Sequence, residues 1–467
     1  MHARPLVWAL ALTGLWACAS ARPSTERART TTSPDEPSQP FASTYVAPAA
    51  PPTLLRNATV LTAAGPLLEN ASVLLEDGRV AAVGIDVAPP PGARIVDATG
   101  RWITPGIIDV HSHLGVYPAP GVEAVSDGNE ATDPNTAEVW AEHSIWPQDP
   151  QFALARAGGV TSLRILPGSA NLFGGRGVTL KNVPSRTVQG LKFPGAPHSL
   201  KMACGENPKR VYGEDGKAPS TRMGNVAGYR AAWTKAGEYR AAWERWRDEG
   251  AEAAAPPARD LELETLAGVL DGRILVQNHC YRADEMAIML DVAREAGYRI
   301  ATFEHAVEAY KIRDLLAENG VCASMWADWW GFKIEAYDGI EQNVALVDEA
   351  GGCAIVHSDS ESGIQRLNQE AAKAMQAGRE AGIDVDREDA IRWITINPAR
   401  ALGVAERTGS LEPGKMADVV VWSADPFSVY ARADLVFVDG VLLHDRAAAG
   451  APESDWLRGL VPAEVGR

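Results

Sequence analysis

Long apolar runs are missing from this chain of 467 residues. None approaches the ~20 consecutive apolar residues that a membrane-spanning helix needs, so a helical span is not expected. Basic residues are also in short supply. Lys and Arg number 44 against 60 Asp and Glu, a formal net charge of −16. Nucleic acids and anionic membrane surfaces are held through basic patches, so neither is an expected partner, and a small-molecule substrate is. Between residue 19 and Phe41 large apolar side chains are almost absent, and the stretch is rich in Ser, Thr, Pro and Ala. Such a segment cannot bury enough surface to order itself, and residues 22–52 read as a tether. The remaining length suits one large domain with an appendage. The composition is compatible with a homo-oligomer.

The first 21 residues read as an export signal: Arg4 precedes an apolar run over residues 6–16, and Ala17-Cys18-Ala19-Ser20-Ala21 follows. Leu15-Trp16-Ala17-Cys18 resembles a bacterial lipoprotein cleavage box, which would make Cys18 the attachment point of a lipid anchor. Cleavage after Ala21 would instead release a free protein. The expected location is periplasmic or outer-membrane-anchored, otherwise secreted. Four further cysteines, Cys204, Cys280, Cys322 and Cys353, could pair in an exported protein. Three of them lie in or beside strand-like runs, so burial as thiols is the favoured reading.

From Thr53 the pattern is one of short strands and turn signals, with Asp77-Gly78 marking a hairpin. The style returns after residue 401, where a run of valines leads through further strands to Asp439-Gly440. Two β-rich ends, 53–104 and 401–445, around a long middle predict one composite β-sandwich interrupted by a larger domain. That middle, 105–400, alternates apolar strand-like runs with helical stretches, the signature of βα units. Its size fits an eight-stranded (β/α)8 barrel of the TIM type, in the α/β class. The third strand is expected near Val178-Thr179-Leu180. Residues 206–265 break the rhythm with a tandem echo, Gly228-Tyr229-Arg230-Ala231-Ala232-Trp233 and Glu238-Tyr239-Arg240-Ala241-Ala242-Trp243. They predict a helical insertion whose aromatics are packed.

His111 and His113 stand two apart at the end of a strand-like run. Residues i and i+2 of a strand share a face, so both imidazoles can aim at one point, which is half of a zinc-type site. The alternative to the metal reading is an accidental histidine pair on a half-exposed strand, so the remaining ligands must be found elsewhere in the chain. His279, His305 and Asp359, however, each stand at the C-terminal end of another expected barrel strand, the face on which such barrels build their active sites. Four histidines and an aspartate placed this way predict a divalent metal site.

The order His111-x-His113, Lys201, His279, His305, Asp359 resembles that of the amidohydrolase superfamily. Thr104-Pro105-Gly106-Ile107-Ile108-Asp109-Val110-His111-Ser112-His113 and Gly409-Ser410-Leu411-Glu412-Pro413-Gly414-Lys415-Met416-Ala417-Asp418 are similar to its opening and closing signatures, and Asn397-Pro398-Ala399-Arg400 also matches. The resemblance spans about 53–445 and is greatest to the imidazolonepropionase-like branch, which includes metallo-dipeptidases. It implies a hydrolase of C–N amide bonds holding one or two divalent ions, zinc first among them. His111, His113 and Asp359 would hold one metal and His279 and His305 a second. A carboxylated Lys201 would bridge them, with Glu206 as the rival bridge. Asp359 would also be the catalytic acid–base group.

Substrate contacts are read from the loops after the strands. Tyr281, Arg282 and Arg176 are candidates, an arginine being suited to bidentate capture of a carboxylate such as a peptide C-terminus. Trp330, in an aromatic stretch after the seventh strand, is expected to wall the pocket. His198 and His357 read as supporting or structural. Short peptides are the expected substrates. The alternatives are a cyclic amide or a heterocycle to be deaminated, and, outside enzymes, an exported binding lipoprotein.

Overall fold

The computed structural model describes residues 41–250 and 255–448. The expected export signal, Cys18 and the first part of the tether lie outside the described residues. Sixteen strands follow in order. The first five are β1 (Thr53–Val60), β2 (Leu68–Glu76), β3 (Arg79–Gly84), β4 (Arg94–Asp97) and β5 (Trp102–Pro105). Next come β6 (Ile107–Ser112), β7 (Val160–Ile165), β8 (Phe173–Lys181), β9 (Ser199–Ala203), β10 (Leu275–Cys280), β11 (Ile300–His305), β12 (Cys322–Met325) and β13 (Cys353–Val356). The last three are β14 (Val419–Trp422), β15 (Ala433–Val438) and β16 (Val441–Asp445).

Both ends of the chain build one sheet, in the order β16-β15-β14-β5-β1-β2-β3, with β4 also pairing β1. The seam is β5 against β14, antiparallel from Pro105↔Val419 to Trp102↔Trp422. Alternate residues of strands from both ends, among them Leu55, Val73, Ile103, Val419, Val421 and Phe437, gather in a core separate from the main one. The hairpin at Asp77-Gly78 forms, with both residues at positive φ, as a two-residue turn of this kind requires.

The second sheet runs β6 to β13 in sequence order and curls into a TIM-like barrel. Beyond the ends of the ladder, the Asp359 backbone N–H donates to the carbonyl of His111 at 3.1 Å, and Ser358 N–H donates to Asp109 Oδ1 at 3.3 Å. These bonds bring the last strand back to the first. Every strand of the barrel is parallel to its neighbours except one. The third strand covers the expected Val178–Leu180 region, but it runs antiparallel to both β7 and β9. Only residues 166–172 link β7 to β8, too few for the crossover of a dozen or more residues that a parallel pair requires, so the chain turns straight back.

Helices follow the other strands. Between β9 and β10 run Glu206–Gly213, the 28-residue Arg222–Glu249, and Leu261–Leu270. Of the tandem echo, Tyr229 and Trp233 are buried, the indole lying 4.4 Å from the ring of Tyr298, whereas Tyr239 and Trp243 are half-buried.

The cysteines correct the thiol expectation. Cys204 is bonded to Cys280 and Cys322 to Cys353. Each pair lies on adjacent strands. Cys322 and Cys353 are register partners of β12 and β13, and Cys204 and Cys280 follow the Ala203–His279 pairing of β9 and β10. Neighbouring strands hold Cα atoms at bonding distance, here 5.2 and 4.4 Å.

At the opposite end of the barrel from the strand C-termini, residues 41–45 strap the chain down. Ser43 Oγ donates to the Lys192 carbonyl at 2.7 Å, Thr44 N–H to the Gln189 carbonyl at 2.9 Å, and Tyr45 OH to Asp439 Oδ2 at 2.7 Å. Close by, the fully buried Lys181 at the end of β8 donates to both Asp418 oxygens and to Asp439 Oδ1, each at 2.9 Å. These bonds fasten the barrel base to the terminal sheet.

Candidate metal centre

In β6, Ile107, Asp109 and His111 alternate with residues of the other face, and the strand ends at Ser112, which leaves His111 at the C-terminal rim of the barrel and His113 just beyond it. His111 Nδ1 lies 3.2 Å from Glu304 Oε2, and His113 Nδ1 lies 2.9 Å from the Leu166 carbonyl. Each imidazole donates its Nδ1 proton to an oxygen, which fixes the tautomer and leaves the Nε2 lone pair pointing into the mouth. Both Nε2 atoms lie 3.3 Å from Asp359 Oδ1. Lys201 Nζ, buried on β9, lies 3.4 Å from His111 Nε2.

β11 brings Glu304 and His305 in together. Period-two alternation would place successive residues on opposite faces, yet both are buried. The backbone resolves this by entering the left-handed region at His305, with φ 71°, and staying at positive φ at Ala306. Asp359, at the other side of the mouth, also has positive φ, 48°. Such a conformation costs a side-chain-bearing residue on the order of 1–3 kcal/mol, and it occurs here at three residues around one site.

His111, His113 and Asp359 have their ligand atoms within 4.8 Å of one another, and so have His111, His305 and His357. His305 Nδ1 is 3.0 Å from His357 Nε2 and 3.8 Å from Asp359 Oδ2. His279 closes the ring from β10, its centroid 4.6 Å from that of His305 and 4.9 Å from Tyr281. Both its nitrogens are buried and lack a hydrogen-bond partner among the described residues. A buried imidazole with two idle nitrogens is rare in a finished structure, and a metal is the ligand it suits.

The electrostatics agree. Burial holds His279 and His305 well below the usual histidine range, so both are neutral with a lone pair available. Burial works against the charge on Asp359, but attraction to the histidines around it, His111 foremost, prevails and holds its carboxyl well below the ordinary value. Burial pushes the Lys201 ammonium down to about 8, against the pull of Glu304 and Asp359. Asp109 is pushed up to about 6 by burial, although Ser358 and two backbone N–H groups donate to it.

Of the residues singled out in the sequence, His111, His113, Lys201, His279, His305 and Asp359 converge on this mouth. The others divide. Tyr281 joins, its ring 5.3 Å from His305 and nearly parallel to it. Trp330 lines a cavity that begins at His305. Glu206 turns away from the histidines toward Lys333, 3.7 Å off, and belongs to neither ligand group. Arg282 does not face the mouth either; it is held on the surface by Asp284 at 2.9 Å, a carboxylate two residues along. Arg176 is buried under Trp140, 4.2 Å from the ring, with its Nε donated to Thr265. An arginine expected to capture substrate is thus a packing element in one case and a surface pair in the other.

Two residues were missed or underrated. Glu304 is fully buried and accepts from His111 and from Ser324 Oγ, the latter at 2.8 Å. Its signal was a lone carboxylate inside an apolar strand, directly before a histidine. His357, read as supporting or structural, stands within the histidine cluster itself.

A model of the Amidohydrolase family matches residues 309–444. The amidohydrolase tasK of Hapsidospora irregularis is 33% identical over 451 residues, covering 88% of this chain, which in turn spans 45% of that longer protein. The imidazolonepropionase of Mesorhizobium japonicum is 26% identical over 397 residues, covering 77% of this chain and 88% of its own. Among solved structures, the amidohydrolase from Thermotoga maritima superposes with a TM-score of 0.78 at 38% identity, covering 84% of this chain and all of that one.

Proposed function

Because the chain belongs to the amidohydrolase superfamily, in its imidazolonepropionase-like branch, we propose that it is a metal-dependent hydrolase of C–N bonds in small amides, short peptides foremost. The observation that carries this reading is the convergence of four histidines, Lys201 and Asp359 on one barrel mouth, with both nitrogens of buried His279 unpartnered. The donor set fits a divalent metal of the zinc type, since neutral imidazoles and a carboxylate are its usual ligands. His111, His113 and Asp359 would hold one ion, and His279 and His305 a second, with Lys201 as the bridging residue once carboxylated. A divalent ion in that place supplies Lewis acidity, polarising the scissile carbonyl and acidifying water.

The protein's own groups do the rest. Asp359, ionised in the resting state, accepts a proton from the attacking water at its carboxylate and returns it to the departing nitrogen. Water's oxygen ends on the carbonyl carbon, the C–N bond breaks, and acid and amine leave. Glu304 keeps the His111 ring oriented, and Tyr281 and Trp326 close the mouth on the His305 side. The likeness to an imidazolonepropionase along most of that protein's length supports a second reading, opening of a cyclic amide.

Export is part of the proposal. Two disulfides between neighbouring strands suit an oxidising compartment, in keeping with the signal-like first residues and with Cys18 as an anchor point. The test is a pair of measurements on purified protein: metal content per chain, and a hydrolysis screen over dipeptides and cyclic amides. One or two equivalents of metal with release of free amine from a peptide is expected. Absence of metal after loading sinks the reading.

A further inference from the structure

The loop after β12, residues 326–342, carries an unusual set of side chains. Trp326 is buried and stacks on the ring of His305, 4.5 Å between centroids and 22° between planes. Trp329 stacks on Trp326 in turn, at 4.7 Å and 15°. A continuous run of rings therefore leads from a residue of the metal centre to the rim. There Trp329, Trp330 and Phe332 are 41%, 60% and 55% exposed. Beside this stack lies a cavity of about 440 Å³, lined by His305, Val307, Trp326, Trp329, Trp330 and Ile340 among others. That volume falls in the range of small-molecule sites, which are walled by aromatic and apolar groups.

These rings are not filling the barrel. Tyr281, Val307, Trp326 and Ala336 form an apolar cluster of their own, separate from the main core. Three large rings left in water within four residues of one another mark a recognition surface. Most of the charges around them are matched; Glu341, also on the cavity wall, is exposed and has no ion pair among the described residues. Lys333 sits 3.8 Å over the Tyr281 ring, with Glu335 at 3.4 Å and Glu206 at 3.7 Å. Asp328, on the cavity wall, is tied to Lys373 at 2.8 Å. Arg222 pairs Glu285 and Glu335. Arg176 and Arg282 are turned elsewhere, as described above.

We propose that this cavity is a specificity pocket for an aromatic group of the substrate, an indole or phenyl stacked along Trp329 and Trp330 while the scissile amide lies at the metal centre. The proposal rests on the amide-hydrolase reading and narrows it. Selection on this side of the mouth is by ring stacking rather than by capture of a carboxylate.

Two dipeptide series on the metal-loaded protein test it, one varying the C-terminal residue (Ala-Gly, Ala-Phe, Ala-Trp) and one the N-terminal residue (Gly-Ala, Phe-Ala, Trp-Ala). In at least one series kcat/KM should be about tenfold or more higher for the aromatic members than for glycine. Trp329→Ala and Trp330→Ala, at normal metal content, should collapse that ratio. Aromatic members no better than glycine in both series, or a ratio that survives in both variants, would overturn the pocket. If no peptide is cleaved, the peptide reading fails, and the pocket is judged by titrating tryptophan fluorescence with N-acetyl-phenylalaninamide. Saturable quenching that weakens in Trp330→Ala supports it, and no saturable change overturns it.

Discussion

Two buried lysines on neighbouring strands separate the two ends of the barrel. Lys181, at the base, has three carboxylate oxygens within 2.9 Å and ties the barrel to the terminal sheet. Lys201, at the mouth, is as deeply buried, but its hydrogen-bond neighbour is an imidazole nitrogen, and burial pushes it down to about 8. A buried cation surrounded by anions is part of the scaffold; removing it strands the anions. A buried cation that hydrogen-bonds no carboxylate, with Glu304 and Asp359 acting on it only through space, is held against its own solvation, and a fold keeps such a group where chemistry uses it. Base and mouth thus use the same side chain for opposite ends.

The contrast can be broken from either side. The largest effect is expected at the mouth: Asp359→Asn should lower kcat by about 10²–10⁴-fold, the usual worth of a general acid–base group. Its thermal unfolding should hardly move, and metal analysis should still find metal. At the base, Lys181→Met should cost about 3–5 kcal/mol in denaturant unfolding, because Asp418 and Asp439 are left buried and uncompensated. The metal content of the folded fraction should be normal. Glu304→Gln should weaken metal binding by about 10–100-fold in a chelator competition, because a carboxylate orienting a metal-binding histidine is replaced by a weaker acceptor. Lys201→Met should lower the metal content per chain while leaving stability unchanged or slightly higher, since it removes a buried charge that hydrogen-bonds no carboxylate. A metal count equal to that of the unmodified protein would show that Lys201 is no bridge. Swapped outcomes at Lys181 and Lys201, one losing metal and the other stability, would overturn the comparison itself.

Much of this was legible in the chain. Strand ends are where a barrel builds its site, so histidines and an aspartate at successive strand ends could be grouped before any coordinates. The β-rich ends announced their partnership through matching turn signals at Asp77-Gly78 and Asp439-Gly440. What could not be read depends on which elements become neighbours. The reversal of β8 follows from a linker too short for a crossover, but its length emerges only once both strand ends are known. Cys204 and Cys280 become partners through the order of β9 and β10, since residues 76 apart in sequence give no local cue. Arg282 found Asp284 two residues away, so its charge type was right and its direction was not. Periodicity could place Glu304 inside the barrel; only the assembled ring shows it touching His111 from the far side.

The strap at residues 41–45 has a practical consequence. It is pinned to the Lys192 and Asp439 side of the barrel, beneath the strand N-termini, while the histidines open at the other end. A probe or linker joined directly at residue 41 therefore meets the body at its floor, on the side away from the histidines, and should leave substrate access to the reactive face unchanged.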